Sequence, residues 1–400
     1  LPEQGNKKHL QGKKMSLTIT DPSNAGWNLN GKIQEKAKIV YGRLDPSYGL
    51  GIDLDPDMTP SEALQGIGLD WQIQKSEYRY GMFYERSNPN KIALSDPDGR
   101  DMGTVSKEWA DSLVPFSSYV NSFREFCSEN SLPLEKIGKL ETINRSGELE
   151  LRLFMVADLT GSGFSICGDD PNSGKLLIQH PFYYGAGHSV SNVAFRVVCS
   201  NGMLQKVRDR VQIIGHNSNA TLNIQACLVA ARDGWQAYKQ RVNLLAQTTI
   251  TGAESLVLLV QKYGIRQENK QLATDLLRRI EQEKISVVQL ENLINSIDLT
   301  DESEILRTVH AMYTRGAFIG SNLVSSRETA WGLLNCVTEY YCHNRLEESK
   351  NLNRSINSLW NGQTQSSTQA FLNSISSFAH EKAKREKLKT SNVIQAVRAW

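Results

Sequence analysis

Strand-like and helix-like patterning are segregated along this chain, and that segregation constrains the fold more than any other feature. Ile137–Asn144 and Leu149–Asp158 flank Arg145-Ser146-Gly147, and Leu176–Tyr184 and Val190–Cys199 flank Gly185-Ala186-Gly187. Short apolar blocks around glycine-containing breaks predict two antiparallel hairpins. Val193–Cys199 is nearly unbroken in its apolar character, as in a strand buried on both faces. From Leu222 onward the period changes. Helical spacing predicts helices over Ile224–Leu244, Gly252–Tyr263, Lys270–Glu283, Val287–Ser296, Ser303–Tyr313, Arg327–Cys342 and Phe371–Leu388. Strands first and helices later predict an α+β chain: an antiparallel β-rich core with flanking helices, then a mainly helical C-terminal region. The expected boundaries are a flexible N-terminal arm at 1–44, an α+β core domain at 45–245 and a helical region with a basic tail at 246–400.

Upstream of the hairpins, Thr59-Pro60-Ser61-Glu62 has the form of a capped helix start, with proline at the first position and Glu62 closing a capping box. Trp71–Gln74, Met82–Tyr84 and Lys91–Leu94 suggest strands, the last two separated by Ser87–Asn90. Asp96-Pro97-Asp98-Gly99 is a turn signal, Gly103–Ser106 a short strand, and Phe116–Asn130 an amphipathic helix. Gly362–Thr368 is polar and is expected to be a loop.

The chain has 400 residues, 40% of them hydrophobic and 22% charged, enough to bury a sizeable core. No apolar run reaches the roughly 18 residues of a membrane-spanning helix. Leu1–Lys14 is polar and basic, unlike a secretory signal, and Met15 is a candidate natural start. Six cysteines without a CxxC pair point to a reducing, cytoplasmic setting. Cys336, Cys342 and His343 lack a second ligand pair and are expected to pack in the core rather than hold zinc.

Net charge is only +2, but its distribution is uneven. Asp45–Asp111 holds 13 acidic and 6 basic residues, Arg196–Arg241 holds 7 basic and 2 acidic, Glu281–Glu304 holds 7 acidic and 1 basic, and Ser376–Trp400 holds 6 basic and 2 acidic. Such blocks build either a basic stripe that attracts phosphate or complementary faces that join subunits, unless each is an ordinary solvated face.

Catalytic signatures are absent from the sequence. Gly168–Lys175 fails as a phosphate loop: its glycines are one residue too far apart, and Leu176 stands where a magnesium-binding hydroxyl belongs. There is no HExxH or GxSxG. Asp169 and Asp170 could hold a cation or simply solvate a turn, and His180 and His188 could face each other across a hairpin. No nucleophile, base and oxyanion donor assemble, so no enzyme activity and no cofactor is expected. Tyr183 and Tyr184 beside glycines, with Lys175 before and Arg196 after, suit base stacking next to phosphate contacts, although a core role for the aromatics competes. On a strand, Lys206, Arg208 and Arg210 would share one side and track a backbone. Ser200 or Asn201 could instead cap a helix. Arg232 adds a further cation.

Five segments occur in a familiar order: Thr59–Leu64 with Gly68–Trp71, Gly103–Ser106, Phe195–Gly202, Thr329–Tyr340 and Arg354–Gly362. Together they resemble the phage- and plasmid-like prokaryotic proteins grouped as domain-of-unknown-function family 932, over about residues 55–380. The resemblance implies a mobile-element setting and supplies no catalytic residue. It suggests by analogy a phage annealing protein: a cytoplasmic homo-oligomer that holds single-stranded DNA without catalysis. Lys175, Tyr183, Tyr184, Arg196, Lys206, Arg208, Arg210 and Arg232 are the expected contacts. The competing expectation is a protein-binding, assembly or anti-defence module that engages a host protein.

Overall fold

The computed structural model describes residues 50–398, apart from 56, 82–83, 85, 160–162, 184–188, 197–200, 207–219, 283–284, 295–298, 300 and 345–350. For 194–196, 201–206, 220–233, 281, 287, 291, 343–344 and 388–398 it describes the backbone alone. The expected arm at 1–44 lies outside the described residues.

The N-terminal half is built on two antiparallel sheets. β1 (Ile52–Asp53), β5 (Leu134–Ile143), β6 (Leu149–Asp158), β8 (Asp170–Pro181), β9 (Ser189–Arg196) and β10 (Asn201–Lys206) form the main sheet in that spatial order, with β7 (Phe164–Ile166) also paired to β8. β2 (Gln74–Tyr80), β3 (Arg86–Ser95) and β4 (Asp101–Ser106) form a separate three-stranded sheet. Both expected hairpins are present: Glu141 lies opposite Leu151, and Leu177 opposite Ser191.

Both faces of the main sheet are covered, which explains the apolar density of β6. Leu149, Leu151, Leu153, Met155 and Ala157 join the main core, while Phe154 and Val156 point to the other face, as period-2 alternation requires. Helices α1 (Pro60–Gly66), α2 (Lys107–Asp111) and α3 (Phe116–Glu129) belong to the first side. α3 buries Phe116, Tyr119, Val120, Phe123, Phe126 and Cys127, a helical stripe. Its Phe116 ring meets Phe182, just past β8, edge-on at 4.4 Å. α1 begins with the expected capping box between Thr59 and Glu62.

The C-terminal half is helical: α4 (Ala220–Gln247), α5 (Gly252–Tyr263), α6 (Gln267–Glu281), α7 (Val287–Ile294), α8 (Glu304–Arg315), α9 (Ala330–Glu339) with a π-helical turn to Asn344, α10 (Leu352–Asn361) and α11 (Gln363–Arg398). Every residue of α9 is buried, so its apolar run fills the centre of the bundle. α10 covers the second sheet face, with the Trp360 ring 5.1 Å from that of Phe154. α4 lies against β8 at Gly174, where a Cβ would meet the Trp235 ring at 2.7 Å. One core cluster runs through both halves.

Four local expectations change. β2 begins at Gln74 rather than Trp71, because Trp71 instead packs edge-on against Phe116 and donates its indole N–H to the Gly68 carbonyl. Ser87–Asn90 falls inside β3; the β2–β3 register slips between Glu77 and Arg79, and such irregularities accommodate the proline at 89. Gln363–Thr368 is helical, not a loop. The Thr368 hydroxyl donates to the Thr364 carbonyl and the Ser358 and Thr364 hydroxyls bond at 2.8 Å, so the polar side chains are satisfied within and between α10 and α11. Asn201 starts a strand rather than capping a helix.

Candidate nucleic-acid interface

The site begins with β8, the strand that carries Lys175 and leads to Tyr183. Lys175 sits on the α10-facing side of the sheet, between Asp158 on β6 and Val193 on β9. Its side chain is 8% exposed, and its ammonium lies 2.5 Å from Glu135 Oε1 and 3.5 Å from Asp158 Oδ2. Two carboxylates already pair with this cation in the fold, whereas the sequence pattern pointed to a phosphate contact there. Lys175 fastens β8 to its neighbours instead.

Further along, β8 ends at Pro181, directly opposite Arg152. Tyr183 is half-buried beside that arginine, whose guanidinium carbon stands 4.9 Å from the ring centroid and whose Nη2 donates to the tyrosine hydroxyl. A planar cation over an aromatic face is the geometry in which the ring quadrupole attracts positive charge. Burial pulls the Arg152 pKa down to about 10, with Glu150 opposing the shift. The group stays charged at neutral pH. No ion pair forms at Arg152 among the described residues, and the Tyr183 hydroxyl is its hydrogen-bond acceptor there. A guanidinium carries five N–H donors in a fixed fork that matches phosphate oxygens. Arg152 therefore offers an incompletely used anion-binding fork, held in position by Tyr183.

Arg152 was not among the residues expected from sequence. The available signal was the single cation inside Leu149–Asp158, out of phase with Leu151 and Leu153 and in phase with Phe154 and Val156.

Of the other expected contacts, Arg196 and Lys206 have described backbone positions, on opposite faces of the sheet. Arg196 lies opposite Asn172 and Asn201, whereas Lys206 lies opposite Ser191, at ladder positions of opposite parity. Nothing further is described of their side chains or of the Arg232 side chain, and Tyr184, Arg208 and Arg210 lie outside the described residues.

Asp169 and Asp170 neither solvate a turn nor lie open to a cation. Asp170 is fully buried and accepts from the Trp331 indole N–H at 2.8 Å and the Ser325 hydroxyl at 3.0 Å. Asp169 accepts from the Val324 amide at 2.7 Å. The pair clamps the loop before α9 onto the sheet. Gly332 lets that loop approach: a Cβ there would meet the Ser326 carbonyl oxygen at 1.9 Å. Thr329 caps α9 through the Gly332 amide, and the Asn335 side chain donates to the Trp331 carbonyl. The Thr329–Tyr340 segment thus has a structural logic centred on this clamp.

His180 lies under the Tyr119 ring of α3; His188 lies outside the described residues. Cys336 and Cys342 are buried and unbridged. Among the described residues, no group of three His, Cys, Asp or Glu side chains could hold a metal, and no helix is long and apolar enough to cross a membrane.

A sheet sandwiched between helices, carrying an arginine–tyrosine pair at its end, defines an α+β protein. Residues 103–360 match the model of a family described as a domain of unknown function (DUF932), and the chain belongs to that family. The match runs from β4 to α10, a shorter span than the 55–380 expected, and leaves the Thr59–Trp71 segment outside it. No curated protein and no solved structure matches the chain.

Proposed function

We propose that this protein binds single-stranded nucleic acid at the end of its main sheet, as a non-catalytic, self-associating recombination or annealing factor of a phage or plasmid. The observation that carries the reading is Arg152: a partly buried guanidinium stacked on Tyr183, with no ion-pair partner among the described residues. Placing a charge in a protein interior is costly without a partner, and a phosphate would complete this fork. Arg196, Lys206, Arg208, Arg210 and Arg232 supply the further cations of the proposal, and the alternation of basic and acidic blocks supports self-association. The exposed large hydrophobic side chains are spread over several elements, among them Ile143, Ile265, Val288 and Leu352, which favours this reading over a protein-docking module built on one apolar patch.

Fluorescence anisotropy with a labelled strand of roughly 30–60 nucleotides tests it, a length that spans several sites of about 4–16 nucleotides. Binding is expected at low salt and to weaken steeply as salt rises, with the log–log slope falling by about 0.7 in Arg152→Gln for the one phosphate contact removed. Absence of binding at low salt refutes the proposal. Mass photometry with and without the strand reads the expected self-association.

A further inference from the structure

The three-stranded sheet turns one face inward and one outward. Leu94 and Val105 are buried on the inner face, with Ile92 packed against the same core. On the outer face the register aligns Ser76 with Ala93 and Thr104, Lys91 with Ser106, and Tyr80 with Arg86. Tyr78 and Tyr80 project together, their rings stacked at 6.0 Å with planes 15° apart, and the Lys91 ammonium stands 5.6 Å over the Tyr78 ring. Tyr80 is 42% exposed, and Arg86 and Lys91 are exposed beside it. At the hairpin's end Tyr84 is 69% exposed, with a backbone φ of 57° that bulky residues rarely adopt.

Among the described residues this face carries more cations than carboxylates. Its cations are Arg86 and Lys91, and its carboxylate is Asp101, at the far end opposite Ser95 with Oδ1 taken by the Gly103 amide. Glu77 belongs to the inward-facing register with Ile92 and is paired to Arg79 at 3.0 Å, while Lys75 donates to the Ala110 carbonyl. Flat aromatic surface beside cations, on an open sheet, is the chemistry that stacks unpaired bases and neutralises the phosphates between them.

We infer that the outer face of β2–β3–β4 is a stacking platform for unpaired bases, in which Tyr80 and Tyr78 offer ring surface and Lys91 and Arg86 contact phosphate. The inference rests on the single-strand reading above and adds a second surface to it, one whose β2 and β3 lie N-terminal to the family match. A duplex keeps its phosphates but hides its base faces, so this platform discriminates single strands from duplex.

The test uses the full chain and one labelled sequence as a 30-nucleotide-scale strand and as duplex, the strand long enough for roughly two or more sites. Tyr80→Ala and Lys91→Gln replace exposed side chains, and thermal melting checks that each variant folds as wild type does. Tyr80→Ala is expected to weaken strand binding about five- to a hundred-fold, the scale of one or two lost base stacks, with duplex binding unchanged and Tyr80→Trp restoring the strand. Unchanged strand affinity in Tyr80→Ala overturns the inference. So does loss of self-association in Tyr80→Ala with strand binding intact, which assigns the face to a second copy. If wild-type protein binds no strand, the underlying reading fails as well. If Arg152→Gln weakens binding and the Tyr80 and Lys91 variants do not, only the platform fails.

Discussion

Replacing Gly332 by alanine sets two local effects against each other. Alanine is the better helix former by about 1 kcal/mol, so in an exposed helix the change stabilises. Gly332, however, lies in the buried helix α9, and the new Cβ would sit 1.9 Å from the Ser326 carbonyl oxygen and 2.9 Å from its carbon. Ordinary contact needs a retreat of about 1.5 Å, given carbon contact distances near 3.5 Å. That retreat carries Ser325 and Val324 away from Asp170 and Asp169, whose bonds now measure 3.0 and 2.7 Å. Both would pass beyond hydrogen-bonding range. A hydrogen bond to a charged group contributes about 1.5–3 kcal/mol, so losing two outweighs the helix gain and leaves a net cost of about 2–5 kcal/mol. Urea denaturation followed by tryptophan fluorescence is the assay, with a lower midpoint and an unchanged slope expected. Asp170→Asn supplies the second arm. It loosens the same loop, so the double variant is expected to cost less than the two single costs together, by at least about 0.5 kcal/mol. Gly332→Ala as stable as wild type, or costs that simply add, would refute the clamp.

Two other outcomes follow from the same geometry. Lys175→Met is expected to destabilise the protein by about 1–2 kcal/mol, because it leaves Glu135 and Asp158 without their shared cation; their 37% and 35% exposure keeps the cost below that of a fully buried pair. Strand affinity in the same variant should stay at the wild-type level, and a large drop by anisotropy would restore Lys175 as a contact. Among the cysteines whose side chains are described, Cys167 is exposed while Cys127, Cys336 and Cys342 are buried. Burial, Asp169 and Asp170 raise the Cys167 thiol pKa, and burial pushes Cys127 up to about 12. Native labelling mapped by mass spectrometry should therefore modify Cys167 slowly and spare those three until denaturant is added; rapid labelling of Cys127 in the native protein would contradict its placement.

Much of the architecture could be read from the chain because it depends on neighbours in sequence. The Thr59–Glu62 capping box, the Asp96–Gly99 turn and the bounds of Gly252–Tyr263 are set within a few residues, by caps and periodicity, and all three recur in the fold. The α+β order follows from the change of period near Leu222. Patterning misled where a tertiary contact outweighed it, as when Trp71 left its strand-like setting to meet Phe116.

The electrostatic state of each cation was a different matter. Lys175 and Arg152 both stand in apolar strands, and nothing local separates them. Folding brings Glu135, 40 residues upstream, to Lys175 and so removes it from the surface, while Arg152 receives a neutral tyrosine from 31 residues downstream and forms no ion pair among the described residues. Composition and periodicity thus determined which segments become strands and helices, since those are short-range properties of the backbone and side chains. Only the tertiary structure decided which charges remain available to a ligand, because pairing depends on distances across the sheet, and the Coulomb energy of a pair falls with separation in space rather than along the chain.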